Sequence, residues 1–402
     1  MALRGAVREL VDATAPFFEL RHAHIERDSP LVALGLAHVA HWLSAAALPF
    51  LASDGELIEV FSPPRGASNA ERLRPSELRP TTAGDLLQPT LDAFAAKSSM
   101  VINSLHRWDA TAARLADALQ AELRLPVDVY MYLTPPRSHS YGLHADVMDA
   151  FMVQLVGAKN WTVCAAECEH LELRRGDVLY LPMGTKHHAW TEGSLSAHLT
   201  VNVERQFVVW GALLTATACR LLLDARKCGS ALQPFGMEGE TRLSRALQSL
   251  AEQNGAPRLL RTPDALGLRR RGAPAADAPT LHDEWAAVID EARAAARLAD
   301  DDSAVDLEGA RGARRFASVS ALLDELAAAP DAATRAALDW ADELLRRHLR
   351  ASMPSHLERQ RAGGAAEACD ADEAAPLPPD AVAGGAEFEA IGRRLADTPR
   401  GG

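Results

Sequence analysis

The sequence has few cysteines, and their arrangement excludes two classes of small protein. Only five occur in 402 residues, and no two are spaced as Cys-x-x-Cys, so neither a disulfide scaffold nor a zinc ribbon is predicted. Their odd number favours a reducing compartment. We expect Cys164 and Cys168 to act as small buried hydrophobic residues. The other three are Cys219, Cys228 and Cys369.

The sequence also lacks an uninterrupted apolar run of membrane-spanning length. Its longest apolar stretch, "LGLAHVAHWLSAAALPFLA", contains His38, His41 and Pro49, which predicts a buried helix followed by a turn. The first twenty residues include Glu9 and Asp12, and acidic residues argue against a secretory signal or a transit peptide. We therefore expect an intracellular protein that is neither secreted nor membrane-bound, located in the nucleus, the nucleolus or the cytoplasm.

The sequence contains fewer basic residues than acidic residues. The formal net charge is −12, so a broad basic face for nucleic acid is excluded, and no direct nucleic-acid binding is expected. The one compact basic run, Arg269 to Arg271, is typical of a solvated loop, with nuclear targeting as the alternative. An acidic chain could instead attract basic proteins, such as ribosomal proteins or histone tails, although such a field is not specific.

Five short runs with alternating apolar and polar residues stand in the middle of the chain. They are "VDVYMYLT", "DAFMVQLVG", "NWTVCA", "HLELRRGDVLYLP" and "SAHLTVNVERQF". Five strands within about 80 residues, with no helix between them, predict an antiparallel barrel or sandwich. "SSMVIN" and "LIEVFS" are further strand candidates, and "DATAARLADALQAELRL" has the spacing of a helix.

The regions around the barrel differ in composition. Amphipathic helices rich in Ala, Leu and Arg follow residue 206, and the final stretch is depleted of aromatic and branched residues. A polar, proline-containing loop at 62–85 could close over a site in the barrel. We therefore predict an N-terminal helical segment and loop at 1–94, a barrel at 95–206, a helical region at 207–280, a helical domain at 281–352 and a disordered tail at 353–402.

The stretch "SYGLHADVMDAF" places His144 and Asp146 two residues apart. Residues i and i+2 of a strand project from the same face, so this imidazole and carboxylate would point together into the barrel. His187 and His188, in "LYLPMGTKHHAW", supply candidates for a third ligand. Two histidines and one carboxylate are the ligand set of non-haem Fe(II) oxygenases. A single His-x-Asp among 14 histidines is a weak signal when taken alone.

Lys159 strengthens the hypothesis of a site. It lies in "GAKNW" two residues before Trp161, so a cation and an aromatic ring would share the inward face of a strand. A buried lysine is costly unless it meets an anion, and a cosubstrate that carries a carboxylate would be such an anion.

Together these segments resemble the Jumonji-C-type ribosomal oxygenase family over roughly residues 95–206. The resemblance rests on "SSMVIN", "VYMYLTPPRSHSYGLHADVMDAFMVQLVGAKNW", "LRRGDVLYLPMGTKHHAW" and "SAHLTVNV". It implies an α+β protein with a double-stranded β-helix of the cupin type, followed by a helical dimerisation region and a winged-helix domain. It also implies Fe(II) and 2-oxoglutarate as cofactors, a homodimer, and a basic ribosomal protein or histone tail as the substrate partner.

The resemblance also assigns candidate site residues. His144, Asp146 and His187 match the metal ligands, and His188 falls where the family has a residue that is not a ligand. Lys159 matches the residue that pairs with the distal carboxylate of 2-oxoglutarate. The remaining two candidates for the cosubstrate site are Tyr132 and, more weakly, Thr200.

Departures from the family pattern surround these positions without removing a ligand. They are Tyr130, the "SHSY" segment, Ala145 and Met183. His139 and Tyr141 are expected to be packed or solvated rather than to contact substrate, and His198 is expected to lie in the core or to support the site.

Three functions remain open at this point: a protein hydroxylase that acts on a ribosomal-protein histidyl or arginyl residue, a histone lysine demethylase that uses the same iron chemistry, and a barrel that binds a peptide without catalysis.

Overall fold

The structure is a computed structural model of the chain. It describes residues 2–26, 58–62, 71–73, 97–107, 109–139, 141–165, 167–223, 227–229, 233–235, 242–253, 255–266, 279–299, 303–309, 312–356 and 358–359. Four sequence predictions lie mainly or wholly outside these residues: the loop at 62–85, the apolar stretch at 34–52, the basic run at 269–271 and most of the tail after residue 353.

Two units make up the chain. The first comprises residues 1–123, 127–203 and 354–402, and the second comprises residues 124–126 and 204–353.

The first unit is built on an eight-stranded, fully antiparallel sheet. Its strands lie in the order β1, β10, β7, β12, β5, β4, β2, β3. The bounds are β1 Ala23–Ile25, β2 Ile58–Ser62, β3 Glu71–Leu73, β4 Ser99–Ile102, β5 Val127–Thr134, β7 Asp149–Val156, β10 Val178–Leu181 and β12 Ser196–Val203.

A smaller antiparallel sheet of four strands completes this unit. Its order is β6, β11, β8, β9, with bounds β6 His144–Ala145, β8 Ala158–Cys164, β9 Cys168–Arg174 and β11 Lys186–Trp190. Two helices, α1 (Ala2–Thr14) and α2 (Ala110–Leu123), accompany the sheets, with a 3₁₀ turn at Leu105–Arg107.

The core of the barrel consists of apolar side chains from both sheets, because alternate residues of each strand share a face. Its buried members are Ala150, Met152, Leu179 and Leu181 from the large sheet, and Trp161, Val163 and Leu173 from the small sheet. Burial alternates along β8, where every second residue is buried. This alternation is the pattern from which the sequence predicted strands, and the predicted double-stranded β-helix is confirmed.

Gly157 makes the tight connection between β7 and β8 possible. Its φ of +64° is a left-handed conformation that residues with a side chain rarely adopt. A Cβ at this position would also lie 1.8 Å from the carbonyl oxygen of Leu195. The position therefore requires glycine on both counts.

One predicted strand is in fact two. The run "HLELRRGDVLYLP" was predicted as a single strand, but it turns at Gly176, where φ is +101°. The half before the turn pairs in the small sheet as β9, and the half after it pairs in the large sheet as β10. The glycine permits the reversal that moves the chain from one sheet to the other.

The prediction that Cys164 and Cys168 are small buried hydrophobic residues was wrong, because neither is fully buried and the two are paired. Cys164 and Cys168 stand opposite each other at the end of the β8–β9 hairpin and form a disulfide, with 4.0 Å between their Cα atoms. Cys219 and Cys228 form a second disulfide. Strand register and chain turns bring the cysteines of each pair close together. A disulfide requires only this proximity, and a Cys-x-x-Cys spacing is not needed. The inference of a reducing compartment loses its support.

The second unit is mostly helical. Its helices are α3 Trp210–Leu222, α4 Arg242–Gln253, α5 Leu281–Ala299, α6 Val319–Ala327 and α7 Asp331–Ser352, with short 3₁₀ turns at Pro257–Leu260 and Asp264–Leu266. A two-stranded antiparallel hairpin, β13 (Val305–Gly309) and β14 (Gly312–Phe316), precedes α6. Wing strands were not evident from the sequence because β14, "GARRF", is mostly exposed and polar.

The apolar character of α3 has an explanation within this unit. Trp210, Leu213 and Leu214 are buried, and α3 packs against α7 of the same chain. Dimerisation through this region stays a prediction, as does the division at residue 280. Of the helices that the structure describes, none has the length and apolar character that crossing a membrane requires.

Candidate metal and cosubstrate site

Three side chains with metal-binding atoms meet on the small sheet. His144 on β6 and His187 on β11 are direct cross-strand partners, and Asp146 follows β6 by one residue. Their ligand atoms all lie within 4.8 Å of one another. The structure therefore brings together the three residues that the sequence singled out as metal ligands.

Both histidines are held in one orientation by the backbone. His144 donates its Nδ1 proton to the carbonyl of Gly142 at 2.8 Å, and His187 does the same to Thr185 at 2.9 Å. Because a carbonyl can only accept a hydrogen bond, Nδ1 must carry the proton in each ring. In the neutral ring, Nε2 therefore has the free lone pair. The two Nε2 atoms face Asp146 at 3.6 Å and 3.5 Å.

These distances and the protonation state suit a metal ion. A separation of 3.5 Å or more is long for a hydrogen bond, so the three groups converge without satisfying one another. Burial lowers the pKa of His187, although Asp146 opposes the shift, and burial thus favours the neutral form of the ring. Histidines that bind a metal commonly donate the other ring proton to a carbonyl, as both do here.

Lys159 is buried on the inner face of β8. Its side chain is 1% exposed, and its Nζ donates to Thr134 Oγ1 on β5 at 3.0 Å. Burial lowers its pKa from 10.5 to about 7. Within the described part of the chain, no carboxylate lies within ion-pair distance of this ammonium group, so the predicted anion partner is not a side chain of that part.

Trp161 connects Lys159 with the metal-ligand group. The lysine Nζ lies 5.8 Å from the centroid of the indole ring, and that ring lies 6.0 Å from the ring of His187. The indole Nε1 is buried and has no hydrogen-bond partner among the described residues. The same holds for Nδ1 of His198, whose ring packs edge-on against Trp161. Buried polar atoms of this kind are unusual without a ligand.

The other two sequence candidates occupy different positions. The Tyr132 ring lies 5.8 Å from the Nζ of Lys159 and stacks on the ring of His198 at 5.0 Å. Thr200 is also buried on the large sheet, but it pairs with Tyr130 and Met152, two residues along β12 from His198. The structure thus brings Tyr132 to the lysine, whereas no contact joins Thr200 to it among the described residues.

Two residues in this region were missed or underrated from the sequence. Thr134, which accepts the hydrogen bond from Lys159, was not predicted, although it follows Tyr132 by two residues on the same strand. His198 was assigned to the core or to support. It stacks on Tyr132, and burial together with the Lys159 ammonium lowers its pKa well below the usual range. The alternation of strand faces could have indicated both positions.

The rim beside the metal-ligand group is aromatic and apolar. Tyr141 lies 5.1 Å from the ring of His144 and 6.4 Å from Tyr132. Leu143 is 60% exposed, which is high for so large an apolar residue. His139, in the same segment, lies instead in an open groove on the other face of the small sheet, lined in part by His188 and Trp190. The segment in which the sequence departs from the family therefore forms the edge of the site.

The fold and these side chains define the protein's class. It is a cupin-type barrel of two antiparallel sheets that presents two histidines and a carboxylate together, the arrangement of a facial-triad metal site.

Comparison with known proteins identifies the family more closely. Residues 103–174 match the JmjC domain family. A segment of the chain is 35% identical over 111 residues to the bifunctional lysine-specific demethylase and histidyl-hydroxylase NO66 of Drosophila simulans. Another alignment is 30% identical over 170 residues to ribosomal oxygenase 2 of Bos taurus. In this region the chain is similar to JmjC ribosomal oxygenases, as its motifs predicted.

The extent of these matches is limited. The first alignment covers 22% of this chain and 13% of the Drosophila protein, and the second covers 35% of this chain and 37% of the bovine protein. Among solved structures, Escherichia coli YcfD, a ribosomal oxygenase in complex with cobalt and succinic acid, is similar with 16% identity and a TM-score of 0.34 over 85% of this chain and 95% of YcfD. A TM-score this low adds nothing to the fold that the strand register establishes.

Proposed function

We propose that the protein is an Fe(II)- and 2-oxoglutarate-dependent dioxygenase that hydroxylates a side chain of another protein. The observation that carries the proposal is the convergence of His144, Asp146 and His187, with both histidines fixed by their Nδ1 hydrogen bonds. The similarity to JmjC ribosomal oxygenases supports the reaction class.

In this proposal the three converging side chains hold the metal. Their imidazole nitrogens and single carboxylate suit Fe(II), and three protein ligands leave positions for cosubstrate and oxygen. The iron, when bound with 2-oxoglutarate and oxygen, supplies the oxidising power that hydroxylates a C–H bond, with succinate and carbon dioxide as co-products. Gly142 and Thr185 contribute their carbonyls, which keep the Nε2 lone pairs aimed at the same point.

Lys159 anchors the distal carboxylate of 2-oxoglutarate. The support is its burial, its single neutral partner Thr134, and the unpartnered donor on Trp161 nearby. A charged hydrogen bond made in this water-poor interior is stronger than one at the surface. Tyr132 lies beside the same ammonium group, and Thr200 is the more distant candidate.

The substrate is proposed to be a basic ribosomal protein or a histone tail. The acidic net charge of −12 favours basic partners, and one relative is a bifunctional lysine-specific demethylase and histidyl-hydroxylase. Hydroxylation is our first proposal. Demethylation uses the same metal chemistry, because a hydroxylated N-methyl group releases formaldehyde.

Turnover of 2-oxoglutarate tests the proposal. The purified chain should form succinate with Fe(II) and oxygen, and His144→Ala and Asp146→Ala should abolish this. His170→Ala is the matched control, since His170 is an exposed residue of β9 whose Nδ1 bonds to Thr162. It should turn over like the unchanged protein. Succinate formation that persists in both folded ligand variants would refute the proposal.

Intact-mass analysis then separates the alternatives. Candidate basic proteins incubated with the enzyme and its cofactors should gain the mass of one oxygen. Formaldehyde release from methylated histone peptides, without that gain on ribosomal proteins, would favour the demethylase. A folded protein with no affinity for Fe(II) or Mn(II) would instead favour a peptide-binding barrel without catalysis.

A further inference from the structure

An open groove lies beside the small sheet, away from the inward face that carries Lys159 and Trp161. Its volume is about 500 Å³, and its lining includes Arg137, His139, Thr162, His188 and Trp190. On β8, Lys159 and Trp161 face inward and Thr162 faces outward. On β11, His187 faces inward, and the alternating residues His188 and Trp190 face outward. The groove therefore presents the opposite face of the sheet from the metal-ligand group. A volume of this size accommodates a small molecule or one unit of a polymer.

Hydrogen bonds fix the backbone along one side of this groove. Ser138 and Thr191 are joined by two bonds, from the Ser138 amide to Thr191 Oγ1 and from the Thr191 amide to the Ser138 carbonyl. The Ser138 hydroxyl donates a hydrogen bond to the backbone carbonyl of Lys97 at 2.6 Å. The Arg137 backbone amide donates one to the backbone carbonyl of Glu192 at 2.8 Å. The groove is thus formed in advance of any ligand.

Two cations converge at this side. Arg137 and Lys97 both have left-handed backbones, with φ of +58° and +63°, which are rare for residues with long side chains. The Lys97 carbonyl accepts the hydrogen bond from Ser138, the residue after Arg137, so the two residues lie on neighbouring segments. Burial lowers the pKa of Lys97, and the charge of the Arg137 guanidinium lowers it further. Within the described residues no carboxylate pairs with either. Strained backbone that holds like charges together is typical of a binding site.

The groove also offers flat rings. The rings of His188 and Trp190 are nearly parallel, at 17° with centroids 5.4 Å apart, and His139 meets His188 edge-on at 5.7 Å. All three side chains are only partly buried. A planar group could extend this stack.

We propose that this groove binds a nucleotide unit, whose base stacks beside Trp190 and whose phosphate lies at Arg137 and Lys97. Aromatic platforms next to cations are how proteins bind single nucleotides within a strand. A free nucleotide and a single-stranded nucleic acid share this chemistry. The site differs from the metal centre and does not depend on the proposed oxygenase activity.

The acidic net charge of −12 opposes phosphate binding at long range, so a site of this kind must rest on local contacts. In the proposed site these contacts come from Arg137 and Lys97. The logarithm of the affinity for a single strand should then fall with the logarithm of salt concentration with a slope of about −0.7, the value for one neutralised phosphate.

Fluorescence anisotropy of labelled oligoadenylate RNA tests the proposal on the full-length chain. Arg137→Gln and Trp190→Leu should each weaken binding by about 5-fold or more, the lower limit for one stacked base. Trp190→Phe keeps a ring and should retain binding, as should Arg175→Gln, the matched control in the exposed turn after β9. Mn(II) binding by each variant reports that the barrel is folded.

Competition identifies the source of the nucleotide. AMP should displace the RNA, whereas inorganic phosphate and adenosine should each do so far less well. Displacement by AMP at concentrations equal to those of the oligomer would indicate a free nucleotide, and much tighter binding of the oligomer would indicate a strand. Either result supports the proposal. Absence of saturable binding, unchanged binding in both groove variants, or equal competition by inorganic phosphate would overturn it.

Discussion

His144 and His187 stand opposite each other on neighbouring antiparallel strands, and each donates its Nδ1 proton to the carbonyl two residues before it in the chain. The same local device thus acts twice, once on β6 and once on β11. It fixes both rings with their Nε2 atoms toward Asp146 before any metal arrives. Preorganisation of this kind lowers the ordering cost of metal binding.

Metal binding should stabilise the protein. In the presence of Mn(II) at about 100 times its Kd, the free energy of unfolding should rise by about 2.7 kcal/mol, because the ion binds only the folded state. Chemical denaturation with and without the ion measures the effect. Asp146→Ala should remove the gain, while His170→Ala should keep it. An equal gain in Asp146→Ala would show that the ion binds elsewhere.

Lys159→Met should make the ligand-free protein more stable. The folded pKa of Lys159, about 7, is lower than its ordinary value of 10.5, so the unfolded state binds more protons between these two values. The loss of folding free energy caused by burying the charged lysine is greatest below pH 7, and it decreases to zero as the pH rises to 10.5. At about 1.4 kcal/mol for each pH unit, the variant should gain a few kcal/mol at pH 7.

Denaturation curves at several pH values check this prediction. The difference in stability between Lys159→Met and the unchanged protein should shrink steadily from pH 7 to pH 10. A difference that stays constant over this range would show that Lys159 is not buried as a costly charge.

The affinity for 2-oxoglutarate should fall above pH 7. A carboxylate pairs with the protonated form of Lys159, and that form is lost as pH rises through about 7 in the ligand-free protein. The Kd, measured calorimetrically with Mn(II) in place of iron, should be steady just below pH 7 and rise up to about tenfold per unit above it. Lys159→Met should bind weakly at every pH. A Kd that does not change between pH 7 and pH 9 would contradict the assignment.

Gly157→Ala should destabilise the barrel strongly. The new Cβ would overlap the carbonyl oxygen of Leu195, and alanine would have to adopt a φ of +64°. A loss of about 3 kcal/mol or more is expected, since left-handed strain and a backbone clash add. Gly193→Ala is the matched control, because no atom lies within 4 Å of a Cβ there. Comparable stability of the two variants would be inconsistent with this turn geometry.

The sequence alone predicted the barrel and singled out His144, Asp146 and His187 as candidate metal ligands. Strand periodicity indicated β5 and β8, in which burial alternates with the two-residue repeat of a strand, whereas β7 and β12 are buried along nearly their whole length. The spacing of His144 and Asp146 placed both on one side of the chain for the same reason. These features are local, so neighbouring residues contain the information.

The tertiary structure decided what depends on pairing between distant segments. The register of β6 with β11 put His187 opposite His144, and the fold of β5 against β8 gave Lys159 its partner Thr134. The register of β8 with β9 paired two cysteines that the sequence had left single. The groove beside Trp190 likewise combines segments about 40 to 90 residues apart. Periodicity defines the faces of a strand, whereas long-range hydrogen bonding defines its neighbours.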